Sequence, residues 1–203
     1  MFDLINEILT LEWDMFFKVA NVGGKAPCQS DPETFAIMRG SQIFAWPDTL
    51  RQSYLDDLKR ALRANRNLMT EKYAWMMETA FPKEFAGIVD RLPAIGDTAL
   101  EMIEVIVAIN LSWKEEMAER FPGLSSKGRP IYTKSDSVNE TSFETYLRGE
   151  LKTYSSETLK LYYDHTKARK KEGVNCVALA LLEQARLYGY ESLEKAEKAT
   201  MPQ

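Results

Sequence analysis

The chain has 203 residues, of which 45% are hydrophobic and 28% are charged, a balance that is typical of a globular protein and not of a disordered one. Its formal net charge of −4 and the lack of a long basic run disfavour nucleic acid as a partner. No apolar run approaches the roughly 20 residues that cross a bilayer, so we expect no membrane partner. The first residues carry acids and no cationic region, and two cysteines make no disulfide framework. We therefore expect a cytoplasmic protein with reduced thiols.

Apolar residues recur at the spacing of α-helices along most of the chain, and no segment alternates with the two-residue period of a strand. This pattern predicts an all-α fold, a compact bundle of about eight to nine helices in a single domain that spans residues 1–203. The predicted helices cover residues 2–20, 32–46, 48–62, 68–80, 97–120, 142–153, 156–172, 176–188 and 191–199.

Two helix starts carry local capping signals. Asp31 precedes Pro32, so Asp31 is expected to cap a helix whose first position is Pro32. Thr141 and Glu144 fit a capping box, in which each side chain binds the backbone at the other's position.

The two halves of the chain, about residues 1–80 and 100–190, carry similar residue types in the same order. The first half contains Trp13, Lys25-Ala26-Pro27, Arg39-Gly40, Asp48-Thr49-Leu50, Tyr54 and Asn67. The second half contains Trp113, Gly128-Arg129-Pro130, Arg148-Gly149, Glu157-Thr158-Leu159, Tyr163 and Asn175. This order predicts two pseudo-repeated helical halves with a cleft between them, a common place for a ligand. Since several of these residue types are common, chance similarity is the alternative.

Several segments resemble one prokaryotic family. They are Leu-Glu-Trp-Asp-Met-Phe at 11–16, Cys-Gln-Ser-Asp-Pro-Glu-Thr-Phe at 28–35, Asn-Leu-Met-Thr-Glu-Lys-Tyr at 67–73, Ser-Ser-Lys-Gly-Arg-Pro at 125–130 and Thr-Tyr-Leu-Arg-Gly-Glu-Leu at 145–151. The family is domain of unknown function 4125, and the resemblance covers nearly the whole chain. It implies a bacterial or archaeal protein, and it implies no reaction, cofactor or catalytic residue.

Metal and cofactor motifs are missing from the sequence. The only histidine, His165, lies in a predicted helix among charged residues, and we expect it at the surface. Cys28 and Cys176 each lack further His or Cys residues at the spacing of a zinc site. No phosphate loop or dinucleotide-binding glycine pattern occurs. We therefore predict no metal and no cofactor.

Cys28 is a candidate catalytic residue because it comes just before a helix N-terminus. The positive end of that helix and the nearby Lys25 would both favour the thiolate, the form that acts as a nucleophile. The alternative is an inert cysteine buried under the loop. Asp31, Glu33 and the lack of a neighbouring histidine favour this alternative.

Four basic residues are candidates for substrate binding. Lys25 and Arg129 lie in loops that contain glycine, whereas Arg39 and Arg148 lie within helices and are each followed by a glycine. Because a guanidinium group fits carboxylate or phosphate, two or more of these residues facing one cleft would form an anion site. The alternative is that each pairs with a carboxylate and fastens the halves together.

Two acids are further candidate catalytic residues. Glu12 and Glu150 adjoin or nearly adjoin Trp13 and Tyr146, aromatic residues whose positions suggest burial. A carboxylate desolvated there would have a raised pKa, as a general acid needs, and the two aromatic rings could contact a substrate. The alternatives are salt bridges on helix surfaces for the acids and simple core packing for the rings.

These features lead to two hypotheses of different classes. The first is a small-molecule-binding protein or an enzyme that acts on a small anionic metabolite in the cleft between the halves. Residues 121–139, the longest stretch without helical signals, favour it, because long polar loops often carry function. The second is a helical protein–protein interaction module without catalysis. The sequence does not decide between enzyme and binding protein, and it does not indicate an oligomeric state.

Overall fold

The computed structural model describes residues 2–20, 27–137 and 140–200. Within these ranges the chain forms 11 α-helices and no strand, so the all-α prediction is confirmed. Nine of the helices have seven or more residues, in agreement with the predicted number.

The 11 helices are numbered here in the order in which they follow one another along the chain. They are α1 (Phe2–Phe17), α2 (Pro32–Phe44), α3 (Asp48–Arg63), α4 (Leu68–Ala80), α5 (Pro82–Ala86), α6 (Asp97–Arg120), α7 (Pro122–Ser126), α8 (Phe143–Leu151), α9 (Ser156–Lys171), α10 (Cys176–Leu187) and α11 (Leu193–Thr200). Short 3₁₀ helices cover Pro27–Ser30, Val89–Arg91 and Thr133–Ser135.

Local capping explains where several helices begin. The side chain of Asp31 accepts a hydrogen bond from the backbone N–H of Thr34, with Pro32 at the first helical position, as predicted. Asn67 caps α4 in the same way through the N–H of Thr70. These bonds use donors that a helix start otherwise leaves without partners.

The predicted capping box at Thr141 is wrong. Ser142 is the N-cap of α8 and accepts from the N–H of Thr145 at 3.1 Å. The carboxylate of Glu144 instead accepts from the N–H of Thr133 at 2.9 Å. The reason is tertiary: the preceding loop folds back over the start of α8 and binds Glu144.

The predicted loop at 121–139 also contains more structure than expected. It begins with the short helix α7, whose first N–H groups are bound from a distant part of the chain. Glu197 of α11 accepts from Gly123 N–H at 2.7 Å and from Leu124 N–H at 2.8 Å. A carboxylate at a helix N-terminus is favourable, and here it fastens the last helix to α7.

Helices from the first and the second part of the chain form two groups that pack against each other. Helix α1 packs on α2, α3 and α4, and α6 packs on α7, α8, α9 and α10. Between these groups, α4 lies against α8, α2 lies against α10, and α3 lies against α9. The main hydrophobic core occupies the centre of this arrangement, with fully buried residues such as Ile8, Ile43, Leu58 and Ile106.

Helices α4 and α8 approach closely because α8 carries a glycine at the contact. A Cβ atom at Gly149 would lie 2.7 Å from Cγ of Met76 and 2.9 Å from the carbonyl oxygen of Lys72. Real Cβ atoms essentially never show such short contacts, so only glycine fits without a shift of one helix. The close approach brings Glu150 of α8 beside Lys72 of α4.

Replacing this glycine should therefore separate the two helices. We expect Gly149→Ala to lower the free energy of unfolding by about 1–3 kcal/mol, as overpacked sites do. Gly40→Ala is the matched control, because Gly40 also follows an arginine within a helix and its added Cβ would meet only Leu9 Cδ1, at 3.5 Å. The control should be neutral or stabilising by up to about 1 kcal/mol, the helix propensity gain. Chemical denaturation of both variants measures this; equal effects would contradict the close-packing explanation.

Candidate functional site

Four charged side chains meet in the interior of the bundle. They are Glu12 of α1, Arg39 of α2, Lys72 of α4 and Glu150 of α8, and we call them the buried charge cluster. Their exposed fractions are between 0% and 5%. Two carboxylates and two cations balance each other, which is the condition for keeping charges in a protein interior.

Arg39 joins the two carboxylates. Its Nε atom lies 2.8 Å from Oε2 of Glu12, and its Nη2 atom lies 2.8 Å from Oε1 of the same residue. The same Nη2 atom lies 2.8 Å from Oε1 of Glu150. The planar guanidinium therefore forms a bidentate pair with Glu12 and also contacts Glu150.

Lys72 completes the cluster from α4. Its Nζ atom donates to Oε2 of Glu150 at 2.7 Å and lies 3.5 Å from the ring centroid of Tyr146. Two tyrosine hydroxyls bind the carboxylates as well: Tyr54 donates to Glu12 Oε1 at 2.5 Å and Tyr154 donates to Glu150 Oε1 at 2.6 Å. Cations and hydroxyl donors thus contact both buried carboxylates.

The cluster shifts the pKa values of its members. Burial alone would raise the pKa of Glu150, but Arg39 and Lys72 and the hydrogen bonds to the carboxylate lower it to about 2. The expected rise of this pKa is therefore wrong, because two cations outweigh desolvation. Burial, and then Glu12 and Glu150 respectively, raise the pKa values of Tyr54 and Tyr154 well above the ordinary value, so both hydroxyls stay protonated and donate.

The structure brings only some of the predicted site residues together. Glu12, Glu150 and Arg39 belong to the cluster, and Tyr146 adjoins it through Lys72. The exposed Arg129 lies over the ring of Tyr146, with 4.8 Å between the guanidinium carbon and the ring centroid. It also donates from Nη1 to the carbonyl oxygen of Thr141 at 2.9 Å.

Other predicted residues lie elsewhere. Arg148 pairs with Glu104 and with Glu144, and Trp13 packs in an aromatic group with a centroid distance of 5.2 Å to Phe35. Lys25 and the side chain of Cys28 lie outside the described residues. The catalytic and substrate-binding roles given to the nine predicted residues stay predictions.

Sequence reasoning missed Lys72, although a signal for it exists. Leu68, Lys72 and Met76 follow each other at four-residue spacing on α4 and are all buried. A cation in the middle of an apolar helical stripe indicates a buried anionic partner. The partner, Glu150, lies 78 positions away in sequence and could not be found by spacing.

His165 is half-buried, so its side chain is only partly exposed at the surface. The ring nitrogen Nε2 lies 3.8 Å from Sγ of Cys176, because α9 and α10 both pack on the central helices. Among the described residues there is no group of three or more His, Cys, Asp or Glu side chains arranged to hold a metal ion.

A groove opens at the surface next to the buried charge cluster. Its volume is about 610 Å³, and it lies between the end of α3, the start of α4, the start of α6 and the corner between α8 and α9. Four cationic residues border it, namely Arg60, Arg63, Arg66 and Lys152. The only acid in the lining is Asp57. We call this feature the basic groove.

The cations of the basic groove differ in how they are paired. Arg60 pairs with Asp57, Lys152 with Glu78, and Arg66 forms a double hydrogen bond with Glu71 at 2.6 and 2.8 Å. Arg63 is exposed, and within the described part of the chain no carboxylate forms an ion pair with it. A second depression of about 400 Å³ lies beside Arg129 and is shallower.

Comparison with known proteins adds a family. Residues 2–198 match a family described as protein of unknown function (DUF4125). No curated protein and no solved structure matches the chain. In the described ranges, no helix has the length and apolar character required to cross a membrane.

The low pKa of Glu150 links stability to pH. Because its folded-state pKa, about 2, lies below the ordinary value of 4.5, the stabilisation is fully present above pH 4.5 and is lost as the pH falls towards 2. The difference corresponds to about 3 kcal/mol, at 1.36 kcal/mol per pKa unit. Carbon-13 NMR of the glutamate carboxyl groups should show Glu150 still ionised at pH 3.5. A titration midpoint near 4.5 would contradict the described cluster.

Proposed function

Because the chain belongs to the DUF4125 family of proteins of unknown function, its function has to be inferred from its own geometry, and we propose that it binds a small anionic metabolite in the basic groove. The observation that carries the proposal is a groove bordered by four cationic residues and one acidic residue, in which the exposed Arg63 forms no ion pair within the described structure. Its volume, about 610 Å³, lies in the range of roughly 300–1,000 Å³ that is usual for small-molecule sites.

The charge of the groove contrasts with the charge of the whole chain. The protein is acidic, with a net charge of −4, whereas most charged residues that border the groove are cationic. Because Asp57, Glu71 and Glu78 pair with three of these cations, the positive charge available to an anion is that of Arg63, within the described part of the chain. Arg63 is the strongest candidate for ligand contact, because it is exposed and its guanidinium is not already bound to a carboxylate in the described structure.

Three helices begin at the groove and add to its positive potential. Arg66 and Leu68 flank the start of α4, Gly96 precedes α6, and Ser155 and Ser156 form the start of α9. Helix N-termini carry partial positive charge and free N–H groups. The presence of these helix starts at the groove favours an anionic ligand and adds no preference among phosphate, sulfate and carboxylate.

A hydrogen bond connects the buried charge cluster to a residue that lines the groove. Glu150 lies two positions before Lys152 and four before Tyr154, and these two residues line the groove. Tyr154 also donates a hydrogen bond to Glu150, and Glu150 in turn pairs with Arg39 and Lys72. This part of the groove lining is therefore connected to the cluster. The cluster therefore holds the groove in one shape, as a preformed site requires.

The groove lies between the two segments that the sequence presents as repeats, and we infer that the chain arose by duplication. Helix α4 contacts α8 and α10 contacts α2, which is the exchange expected of two halves related by a pseudo-two-fold axis. Asn67 and Asn175 support the relation. Each caps a helix and each donates to a backbone carbonyl of the long helix in its half, that of Met15 at 2.8 Å and that of Trp113 at 3.1 Å.

The proposal is one of binding, and catalysis stays a prediction. Glu12 is fully buried and Glu150 is 5% exposed, and both carboxylates are bound by internal donors. Their arrangement favours a positioning role over proton transfer to a ligand in the groove. The cytoplasmic location and the prokaryotic source likewise stay predictions from composition and resemblance.

The alternative function is a helical protein–protein interaction module. Large apolar side chains are exposed at the end of α10 and after it: Leu187 is 50% exposed, Tyr188 47% and Tyr190 38%. Three such residues within four positions could contact a partner protein. Self-association of the purified protein, or a partner that binds this segment, would favour the module if the basic groove binds no anion.

A ligand screen tests the proposal directly. Thermal unfolding is measured against inorganic phosphate and a panel of phosphorylated and carboxylated metabolites. A ligand present at about 100 times its dissociation constant adds about 2.7 kcal/mol and raises the melting temperature by a few degrees. Arg63→Ala should then weaken the affinity at least about tenfold, because a charge-assisted hydrogen bond contributes about 1.5–3 kcal/mol.

Arg186→Ala is the matched control for this substitution. Arg186 is an exposed arginine on α10 that lies 3.8 Å from Glu183 and does not line the groove. It changes the net charge by the same amount and should leave the affinity unaltered. Equal losses in both variants would indicate a nonspecific charge effect, and the absence of any stabilising anion would contradict the proposal.

A further inference from the structure

The second cysteine and the only histidine of the chain form a pair outside the basic groove. Cys176 is the first residue of α10, and His165 lies on α9. The distance between Sγ of Cys176 and Nε2 of His165 is 3.8 Å, which is within reach of a thiol–imidazole hydrogen bond. Neither residue lines the basic groove, so this pair is independent of the proposed anion site.

The imidazole faces the thiol through Nε2. In the tautomer whose proton is on the other ring nitrogen, the Nε2 lone pair accepts the proton of Cys176. A nucleophile and a base within hydrogen-bond reach of each other are the elements of thiol activation.

The groups around the Cys176 thiol have opposing effects on its pKa. Burial raises the pKa of Cys176 to about 11, Arg169 lowers it, and Glu172 raises it. Tyr162 is the other titratable group that interacts with this thiol. Burial and Arg169 also lower the pKa of His165, so the imidazole is neutral at pH 7 and able to accept a proton. At rest the pair is therefore a neutral thiol facing a neutral base.

We propose that Cys176 is a nucleophile and His165 its general base, in a site that reacts with small alkylating or acylating compounds. The thiol is half-buried, so only a compact reagent reaches Sγ. In the reaction the Sγ–C bond forms and the bond to the leaving group breaks, with its electron pair departing on the leaving group. The thiol proton moves to Nε2. The position of Sγ at the first residue of a 12-residue helix stabilises the negative charge that develops on sulfur.

The pH dependence of alkylation tests this proposal on the unaltered protein. The rate of modification of Cys176 by iodoacetamide is measured from pH 5 to 10, and mass spectrometry of peptides distinguishes Cys176 from Cys28. If His165 acts as base, the rate rises as the imidazole loses its proton below pH 6.5 and is level between pH 7 and 9. A rate that instead rises about tenfold per pH unit throughout this range would show simple ionisation of a thiol with a pKa of about 11, and would overturn the proposal.

A variant gives a second readout. His165→Gln keeps a polar side chain of similar size but removes the base. The alkylation rate at pH 7.5 should fall about 100-fold, the lower range of general-base effects. An unchanged or faster rate in a folded variant would overturn the proposal. If the variant does not fold, the pH profile of the unaltered protein decides by itself.

Discussion

The guanidinium group of Arg39 binds two buried carboxylates, those of Glu12 and Glu150, and the packing of much of the bundle depends on this contact. Glu12 comes from the first helix and Glu150 from the eighth, so the bridge spans most of the chain. Taking four charges out of water is costly, and the cost is offset only when every charge is paired and hydrogen-bonded. Lys72 and the hydroxyls of Tyr54 and Tyr154 supply the remaining partners.

This arrangement constrains the positions of four helices more sharply than apolar packing does. Apolar side chains tolerate small shifts, whereas a guanidinium pairs with a carboxylate only in a narrow range of distances and angles. Gly149 lets α4 and α8 come close enough for Lys72 to reach Glu150. The segment that follows Glu150 then lines the basic groove. The buried charge cluster and the basic groove therefore share the corner between α8 and α9.

Local interactions made most helices predictable from the sequence. Periodicity located them, and the capping residue Asp31 marked one start that the structure confirms. Prediction failed where a distant group competes with a local one. Thr141 and Glu144 fit a capping box, but Thr133 binds Glu144 and Ser142 caps the helix instead.

The site was less predictable, because spacing does not show which polar groups meet. Arg39 and Arg148 have the same local pattern, yet Arg39 is buried between carboxylates and Arg148 is half-buried in surface pairs. Glu12 and Glu150 were chosen for their aromatic neighbours, and the structure does bring them together through Arg39. Arg63 carries no sequence signal, since its place in the basic groove depends on residues from several helices.

The most direct test of the central role of Arg39 is the free energy of unfolding of Arg39→Met compared with Lys160→Met. The first change removes the cation that bridges Glu12 and Glu150, and the second removes one partner of the exposed pair between Lys160 and Asp164. We expect Arg39→Met to lower stability by about 3–5 kcal/mol, because it leaves buried charge uncompensated. Lys160→Met should cost less than about 1 kcal/mol. Equal and small effects would contradict the view that the buried charge cluster fastens the bundle.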